Sequence, residues 1–200
     1  MLKAKVCVLV SGGGTNLQAI IDACNTGIIN SAEVSVVVAS NPDAYALERA
    51  KNAGIVAHCI SKKECGSAEA FDEALVAYMK EMEVDIVVLA GFLVILGKTF
   101  IESYRDRIVN IHPSLIPSFC GDGFYGLKVH QAALDYGVKV TGATVHLVNE
   151  ITDGGKILMQ KAVYINDNDT AETLQRRVME EAEWKILPEA VEKLCAEMDE

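Results

Sequence analysis

Near-continuous hydrophobic runs alternate along this chain with amphipathic helical patterns, and that alternation limits the fold more than any other feature. Ala4–Val10, Glu33–Ala39 and Asp85–Leu89 are apolar at almost every position, and Val56–Cys59 is a shorter β-rich run. A strand exposed on one face alternates apolar with polar residues, so continuous runs suit strands covered on both faces. Between the runs, Leu17, Ile20, Ile21 and Cys24 recur at i, i+3, i+4 and i+7 and mark one face of a helix. Phe71, Leu75, Tyr78, Met79 and Met82 mark another, and a helix over 44–53 ends at Gly54. Strand and helix in alternation predict an α/β fold, with a Rossmann-like, mostly parallel sheet flanked by helices on both faces.

The pattern changes beyond Gly97. Arg107–Ile111 reads as a fifth strand, and the stretch 113–126 that follows is rich in Pro, Gly, Ser and aromatics. A loop that long inside a compact domain is usually functional. A helix near Leu127–Tyr136 then leads to a C-terminal strand pair, Lys139–Val148 and Lys156–Tyr164. The final helix is predicted to open at Asp169, with Glu172 three residues on in a capping-box position, and to break or kink at Pro188. Neither a repeat nor a linker interrupts the 200 residues, so a single domain is expected.

The first run passes directly into Ser11-Gly12-Gly13-Gly14-Thr15-Asn16-Leu17. A glycine turn between a strand and a helix N-terminus presents free backbone N–H groups to an anion, and glycine lets the main chain approach a phosphate closely. No Gly-Lys-Ser/Thr closes the turn as in a Walker A loop, and Leu17 stands where GxGxxG needs its last glycine. The second strand ends in Ala39-Ser40-Asn41-Pro42, without the acid that holds a dinucleotide ribose. A single phosphate, and not NAD, is therefore the expected ligand of the turn; close packing is the alternative reading.

Two further elements carry chemistry. Asn110 and His112, in Asn110-Ile111-His112-Pro113-Ser114, are i and i+2 on a strand and project to one side, with Ile111 turned to the core. An amide donor beside an imidazole suits stabilising an oxyanion and moving a proton. Thr152-Asp153-Gly154-Gly155 lies between the last two strands and reads first as a tight turn. With Asp153 beside His112, the carboxylate is expected to raise the imidazole pKa. His58 and His146 read as structural strand residues, and His130 is left open. Histidines at metal-ligand spacing and a Gly-x-Ser-x-Gly elbow are both missing, so no metal and no serine nucleophile are expected.

Charge limits the partners. With 18 Lys+Arg against 28 Asp+Glu, the net charge of -10 argues against nucleic acid and against a membrane surface, though not against a small anion in a local pocket. The longest near-apolar stretch, Ile86 to Leu96, holds 11 residues, against about 20 for a membrane span. The N-terminus shows no targeting signal and the 6 cysteines form no CxxC pair, which reads as a cytoplasmic protein with reduced thiols.

In order along the chain, Ser11–Ile20, Leu89-Ala90-Gly91-Phe92-Leu93, Asn110–Pro117, Gly142-Ala143-Thr144-Val145-His146 and Asp153-Gly154-Gly155 resemble the phosphoribosylglycinamide formyltransferase family. The resemblance runs from the first strand to Pro188. It implies a folate-dependent transferase of purine (IMP) biosynthesis, in which the amine of glycinamide ribonucleotide attacks the formyl carbon of the co-substrate 10-formyltetrahydrofolate. Asn110, His112 and Asp153 would be catalytic, and Gly13, Gly14, Thr15 and Asn16 would hold the phosphate. Glu183, five residues before Pro188, would contact the ribose, with Glu180 and Glu181 as competitors. The folate would lie on Phe92, Leu93, Val94, Ile95, Leu96 and Asn110. One formyltransferase domain then spans 1–200, with about 1–105 as the nucleotide half and about 106–200 as the catalytic and folate half, in a monomer or homodimer.

The chain departs from the family pattern where Val94 replaces a common Arg and Ala68 a frequent basic residue; Lys62 and Lys63 are the candidate substitutes, and with Lys128 they are candidates for holding the anionic substrates. Two rival readings are formyltetrahydrofolate deformylase, in which water replaces the amine, and a catalytically silent nucleotide-binding module. The deformylase normally adds an N-terminal regulatory domain and lacks this glycine turn. The related initiator-tRNA formyltransferase adds an RNA-binding domain for which the sequence shows no candidate.

Overall fold

The apolar run Ala4–Val10 forms strand β1, and its two sides enter two different cores. Val6, Val8 and Val10 pack with Leu17, Ile20, Leu174 and Leu187. Cys7 and Leu9 pack with Phe71, Leu75, Met79 and Phe100 on the opposite side. Both faces of a parallel strand are thus covered, which removes the need for a polar alternation.

The computed structural model describes residues 3–198. After β1 come α1 (Thr15–Thr26), β2 (Ala32–Ala39), α2 (Ala46–Asn52), β3 (Val56–Cys59), α3 (Lys62–Cys65), α4 (Ala68–Glu81) and β4 (Ile86–Leu89). The second half holds α5 (Lys98–Ser103), β5 (Ile108–His112), α6 (Leu127–Tyr136), β6 (Val140–Leu147) and β7 (Ile157–Tyr164). It ends in α7 (Ala171–Val178), a wide π-helical turn Met179–Glu183, and α8 (Trp184–Glu197).

The seven strands lie in the order β3-β2-β1-β4-β5-β6-β7. The pairings among β1 to β5 are parallel, while β5–β6 and β6–β7 are antiparallel. β1 has β2 on one side and β4 on the other, so the chain leaves the centre of the sheet in both directions. At such a switch point the loops after the two strands diverge and leave a crevice at their carboxyl ends. The glycine turn follows β1, residues 90–97 follow β4, and His112 ends β5 at that same edge.

The last helical segment differs from the sequence expectation in two ways. Its cap is Thr170, whose hydroxyl accepts from the Thr173 N–H while the Thr173 hydroxyl accepts from the Thr170 N–H. Asp169 instead receives the Arg177 guanidinium and, at 2.8 Å, the Asn166 N–H. Pro188 does not break the helix but sits buried inside α8. A proline lacks the N–H for the carbonyl four residues earlier and crowds it, here that of Trp184. The widened turn ends at Glu183, immediately before that carbonyl, so the irregularity falls one turn ahead of the proline.

The glycines of Asp153-Gly154-Gly155 are required by packing. A Cβ on Gly155 would lie 1.7 Å from the Leu147 carbonyl oxygen, and one on Gly154 would lie 2.6 Å from Ile151 Cγ2. Backbone cannot retreat as a flexible side chain can. Gly155→Ala is therefore expected to displace the β6–β7 connection and to destabilise the protein by about 2 kcal/mol or more, a fall in Tm of roughly 4 °C or more. Thermal unfolding followed by circular dichroism checks this, and an unchanged Tm would contradict the close approach.

Candidate active site

The glycine turn is held from behind. Gly14 caps α1 in the left-handed conformation, φ 71°, and a Cβ there would lie 2.6 Å from Ala46 Cβ, so only glycine fits. The Ala46 N–H donates to the Gly12 carbonyl at 3.0 Å, and Arg49 Nε donates to the Gly13 carbonyl at 2.7 Å. A trans peptide sets its N–H opposite its carbonyl. The N–H groups of Gly13 and Gly14 are thereby turned away from α2 at the positive end of the α1 dipole, a standard anion-binding arrangement. Arg49 also lies over the Tyr45 ring at 5.2 Å and donates to Gln18 Oε1 at 3.2 Å. Its part was illegible in the sequence, because nothing there brings α2 against the turn.

Glu183 reaches the same place from the end of the wide turn. It is buried, and Asn16 Nδ2 donates to its Oε2 at 2.6 Å. Burial pushes the Glu183 carboxyl up to about 7, only partly opposed by that bond. Asn16 Oδ1 is buried without a partner among the described residues. Thr15 Oγ1 contacts Met179 Sδ at 3.7 Å, so the turn and the last helical segment are tied at two points. Glu180, the competitor, is exposed and accepts from Arg176 Nε at 2.8 Å; Glu181 is also exposed.

Asn110, His112 and Asp153 come together at the end of β5. His112 is buried and its Nε2 lies 2.9 Å from the Phe119 carbonyl. A carbonyl only accepts, so Nε2 carries the proton in the neutral ring and Nδ1 is bare. Nδ1 lies 3.6 Å from Asp153 Oδ2, too far for a direct hydrogen bond. Asp153 Oδ2 also accepts the Gly121 N–H at 2.8 Å, which joins the β6–β7 connection to the long loop 113–126. Phe119 and Asp153, the two residues that flank the imidazole, both have positive φ, 50° and 54°. Such backbone is mildly strained outside glycine and persists where surrounding contacts hold it.

The direction of the His112 shift corrects the sequence expectation. Burial lowers the imidazole pKa, and the Phe119 carbonyl and the Asp153 charge, which both raise it, do not restore it. His112 is therefore neutral at pH 7. For Asp153, burial raises the pKa, but the His146 contact, the Gly121 amide and the nearby imidazoles outweigh it and hold the carboxyl below its usual range.

His146 belongs to this cluster and is more than a strand residue. β5 and β6 pair Asn110 with His146 across the ladder. His146 Nδ1 donates to the Leu147 carbonyl at 2.9 Å, which leaves Nε2 to accept from Asn110 Nδ2 at 3.0 Å. The Asn110 amide is thereby oriented with its second N–H available. Asp153 Oδ1 lies 3.5 Å from the same Nε2, so the carboxylate stands between two imidazoles. The period-2 spacing of Thr144 and His146 was the available signal, but the register that sets His146 against Asn110 is tertiary.

Asn16, Asn110, His112, His146, Asp153 and Glu183 line one cavity of about 710 Å³, together with Gly13, Gly14 and the wall Phe92, Leu93, Val94, Ile95 and Leu96. Along that wall Phe92, Val94 and Leu96 lean into the second core, while Leu93 and Ile95 are 64% and 73% exposed. No described Lys or Arg lines the cavity: Ala68, Lys62 and Lys63 lie elsewhere, and Lys128 Nζ is bound to the Tyr125 hydroxyl at 2.9 Å. Among the described residues no group of three His, Cys, Asp or Glu side chains is placed to hold a metal ion, and no helix is long and apolar enough to cross a membrane.

Comparison with known proteins follows the same outline. Residues 4–191 match the formyl transferase family. A phosphoribosylglycinamide formyltransferase of Haemophilus influenzae is 41% identical over 184 residues, which cover 92% of this chain and 84% of that protein. The trifunctional purine biosynthetic protein adenosine-3 of Homo sapiens is 42% identical over 194 residues, 97% of this chain, but the chain spans only 18% of its length. The solved structure of glycinamide ribonucleotide transformylase 1 from Symbiobacterium toebii superposes with a TM-score of 0.91 at 42% identity, covering 97% of this chain and 88% of that one.

Two titrations test the electrostatics. Asp153 raises the His112 pKa, so Asp153→Asn is expected to lower it further in an NMR titration; a rise would contradict the arrangement. Glu183 has a folded pKa raised from 4.5 to about 7, so the stability it leaves intact at low pH is lost as pH rises between those values. Glu183→Gln removes that loss. The variant is expected to exceed the parent protein by on the order of 2–3 kcal/mol at pH 8 and to match it near pH 4, as read by denaturant unfolding.

Proposed function

The chain belongs to the formyl transferase family, and on that premise we propose that it transfers a formyl group from 10-formyltetrahydrofolate to the amine of glycinamide ribonucleotide. The observation that carries this reading is the single cavity that joins the glycine turn to Asn110, His112 and Asp153. An acceptor with a phosphate at one end and an amine at the other has a counterpart for each end in that cavity.

In this reading the backbone N–H groups of Gly13, Gly14, Thr15 and Asn16 hold the phosphate, and Glu183 with the open Asn16 Oδ1 receives the ribose hydroxyls. The folate lies along Phe92 to Leu96, whose aliphatic wall suits a flat, partly apolar ring system. The first half of the chain, about 1–105, then serves mainly the nucleotide, and about 106–200 carries the reacting groups.

The amine nitrogen attacks the formyl carbon, and the carbonyl oxygen becomes an oxyanion that the free N–H of Asn110 stabilises. Neutral His112 accepts the amine's proton at Nδ1, and the imidazolium so formed faces Asp153. The bond between the formyl carbon and the folate nitrogen then breaks. That nitrogen takes the proton back from His112, leaving tetrahydrofolate and the formylated amide, with no net gain or loss of protons. The reaction is assigned to the cytoplasm, in keeping with the free thiols of Cys7, Cys24, Cys59, Cys65 and Cys120.

The deformylase reading needs only water as acceptor and leaves the glycine turn and the Asn16–Glu183 pair without a task. Incubation with 10-formyltetrahydrofolate, with and without glycinamide ribonucleotide, separates the readings. Folate release only with the amine supports transfer, release with water alone assigns the deformylase, and no release in either case assigns a silent module.

Variants extend the test. His112→Ala is expected to lower kcat by on the order of 10² or more with nucleotide binding retained, and near-normal turnover would contradict the mechanism. Gly13 has no protein atom within 4 Å of a notional Cβ, unlike Gly14. Gly13→Ala is therefore expected to keep the parent Tm and weaken nucleotide binding by ~10-fold or more, whereas Gly14→Ala lowers Tm as well. Equal effects of the two would remove the distinction.

A further inference from the structure

His130 stands in the first turn of α6, is 1% exposed, and has neither ring nitrogen hydrogen-bonded within the described residues. A neutral imidazole carries one N–H donor and one lone pair, and buried polar atoms are almost always paired. Two unmet atoms in one buried side chain are a standing penalty that a leucine of similar size would avoid. The side chain lines the same cavity as His112 and Glu183. It is also neutral: burial, and secondarily His112, holds its pKa at about 4, and the α6 N-terminus adds to the disfavour of a positive charge.

Its position in the fold says which end of the cavity it serves. α6 packs against α7, whose Gln175 lines the cavity and which continues into Met179 and Glu183. The aliphatic wall Phe92 to Leu96 belongs to the β4 side. A phosphate or carboxylate would satisfy only the N–H of a neutral imidazole, and an alkyl or aromatic surface neither nitrogen. An amide or amine arm offers both a carbonyl to accept and an N–H to donate.

We propose that His130 is a further substrate-contacting residue, which hydrogen-bonds the aminoacetamide arm of the acceptor nucleotide and sets its amine for attack. This rests on the transfer reading above and adds to it a residue that the Asn110, His112 and Asp153 group does not include. Because the imidazole is kept free of internal partners, its hydrogen bonds are made when the acceptor enters, and the energy appears as positioning.

The test compares the parent protein, His130→Leu and His130→Gln. In His130→Leu, Tm is expected to equal or exceed the parent value. Its kcat/KM for glycinamide ribonucleotide is expected to fall by ~30-fold or more, while KM for 10-formyltetrahydrofolate stays within about threefold. His130→Gln, whose amide again offers a donor and an acceptor, is expected to recover part of the loss. A purely structural histidine would give the opposite pattern, a lowered Tm with kinetics near those of the parent, and that result overturns the proposal. As a check that needs no variant, glycinamide ribonucleotide is added to ¹⁵N-histidine-labelled parent protein. The His130 ring resonances are expected to move, and their constancy under saturating nucleotide also overturns the proposal. Failure of the parent protein to transfer formyl to the nucleotide overturns the reading of the function itself, and the proposal with it.

Discussion

The divergence of the chain at β1, with β2 on one side and β4 on the other, is the constraint on which the rest of the structure depends. It forces the turns after the two central strands apart and leaves a crevice that no side chain from the sheet can fill. Because β5 runs parallel to β4, Asn110 and His112 arrive at the same edge. Antiparallel β6 then sets His146 against Asn110, and its connection to β7 brings Asp153 back over the imidazole. Both cores serve this arrangement by clamping β1 from two sides, so the crevice is fixed by rigid strands even though loops complete its walls.

Backbone groups do much of the work that charged side chains do elsewhere. With a net charge of -10 and no described Lys or Arg lining the cavity, the means the glycine turn offers an anion are oriented N–H groups and a helix dipole. Arg49 contributes from outside, by fixing a carbonyl. The same economy applies at His112, whose tautomer is set by the Phe119 carbonyl and whose carboxylate partner is anchored by the Gly121 N–H. Phe119 and Asp153, both at positive φ, hold these backbone groups in place.

The site also carries buried polarity that the core does not need. Glu183 is desolvated, Asn16 Oδ1 lacks a partner, and both nitrogens of His130 are unmet within the described residues. Each would be replaced by an apolar group if stability alone were at stake. Of the four buried side-chain atoms without a partner among the described residues, three belong to Asn16 and His130, which line this cavity, and the fourth is Trp184 Nε1 outside it; that weighting ties the lost stability to binding.

Local pattern was enough to predict the alternating elements, the glycine turn and the Asn110 and His112 pair, because apolar periodicity, glycine spacing and the i, i+2 rule are properties of short segments. The apolar wall, Phe92 to Leu96, is named by resemblance to a family and not by local pattern, and its residues line the cavity. What tertiary structure alone decided depends on segments far apart in sequence. Asp153 lies 41 positions beyond His112, and only the antiparallel return of β6 makes them neighbours. His146 reads as a strand residue until the register sets it against Asn110, and Arg49 as a surface charge until α2 packs on the turn. The sign of the His112 shift belongs to the same class: a carboxylate raises an imidazole pKa, but burial, which no sequence displays, lowers it further.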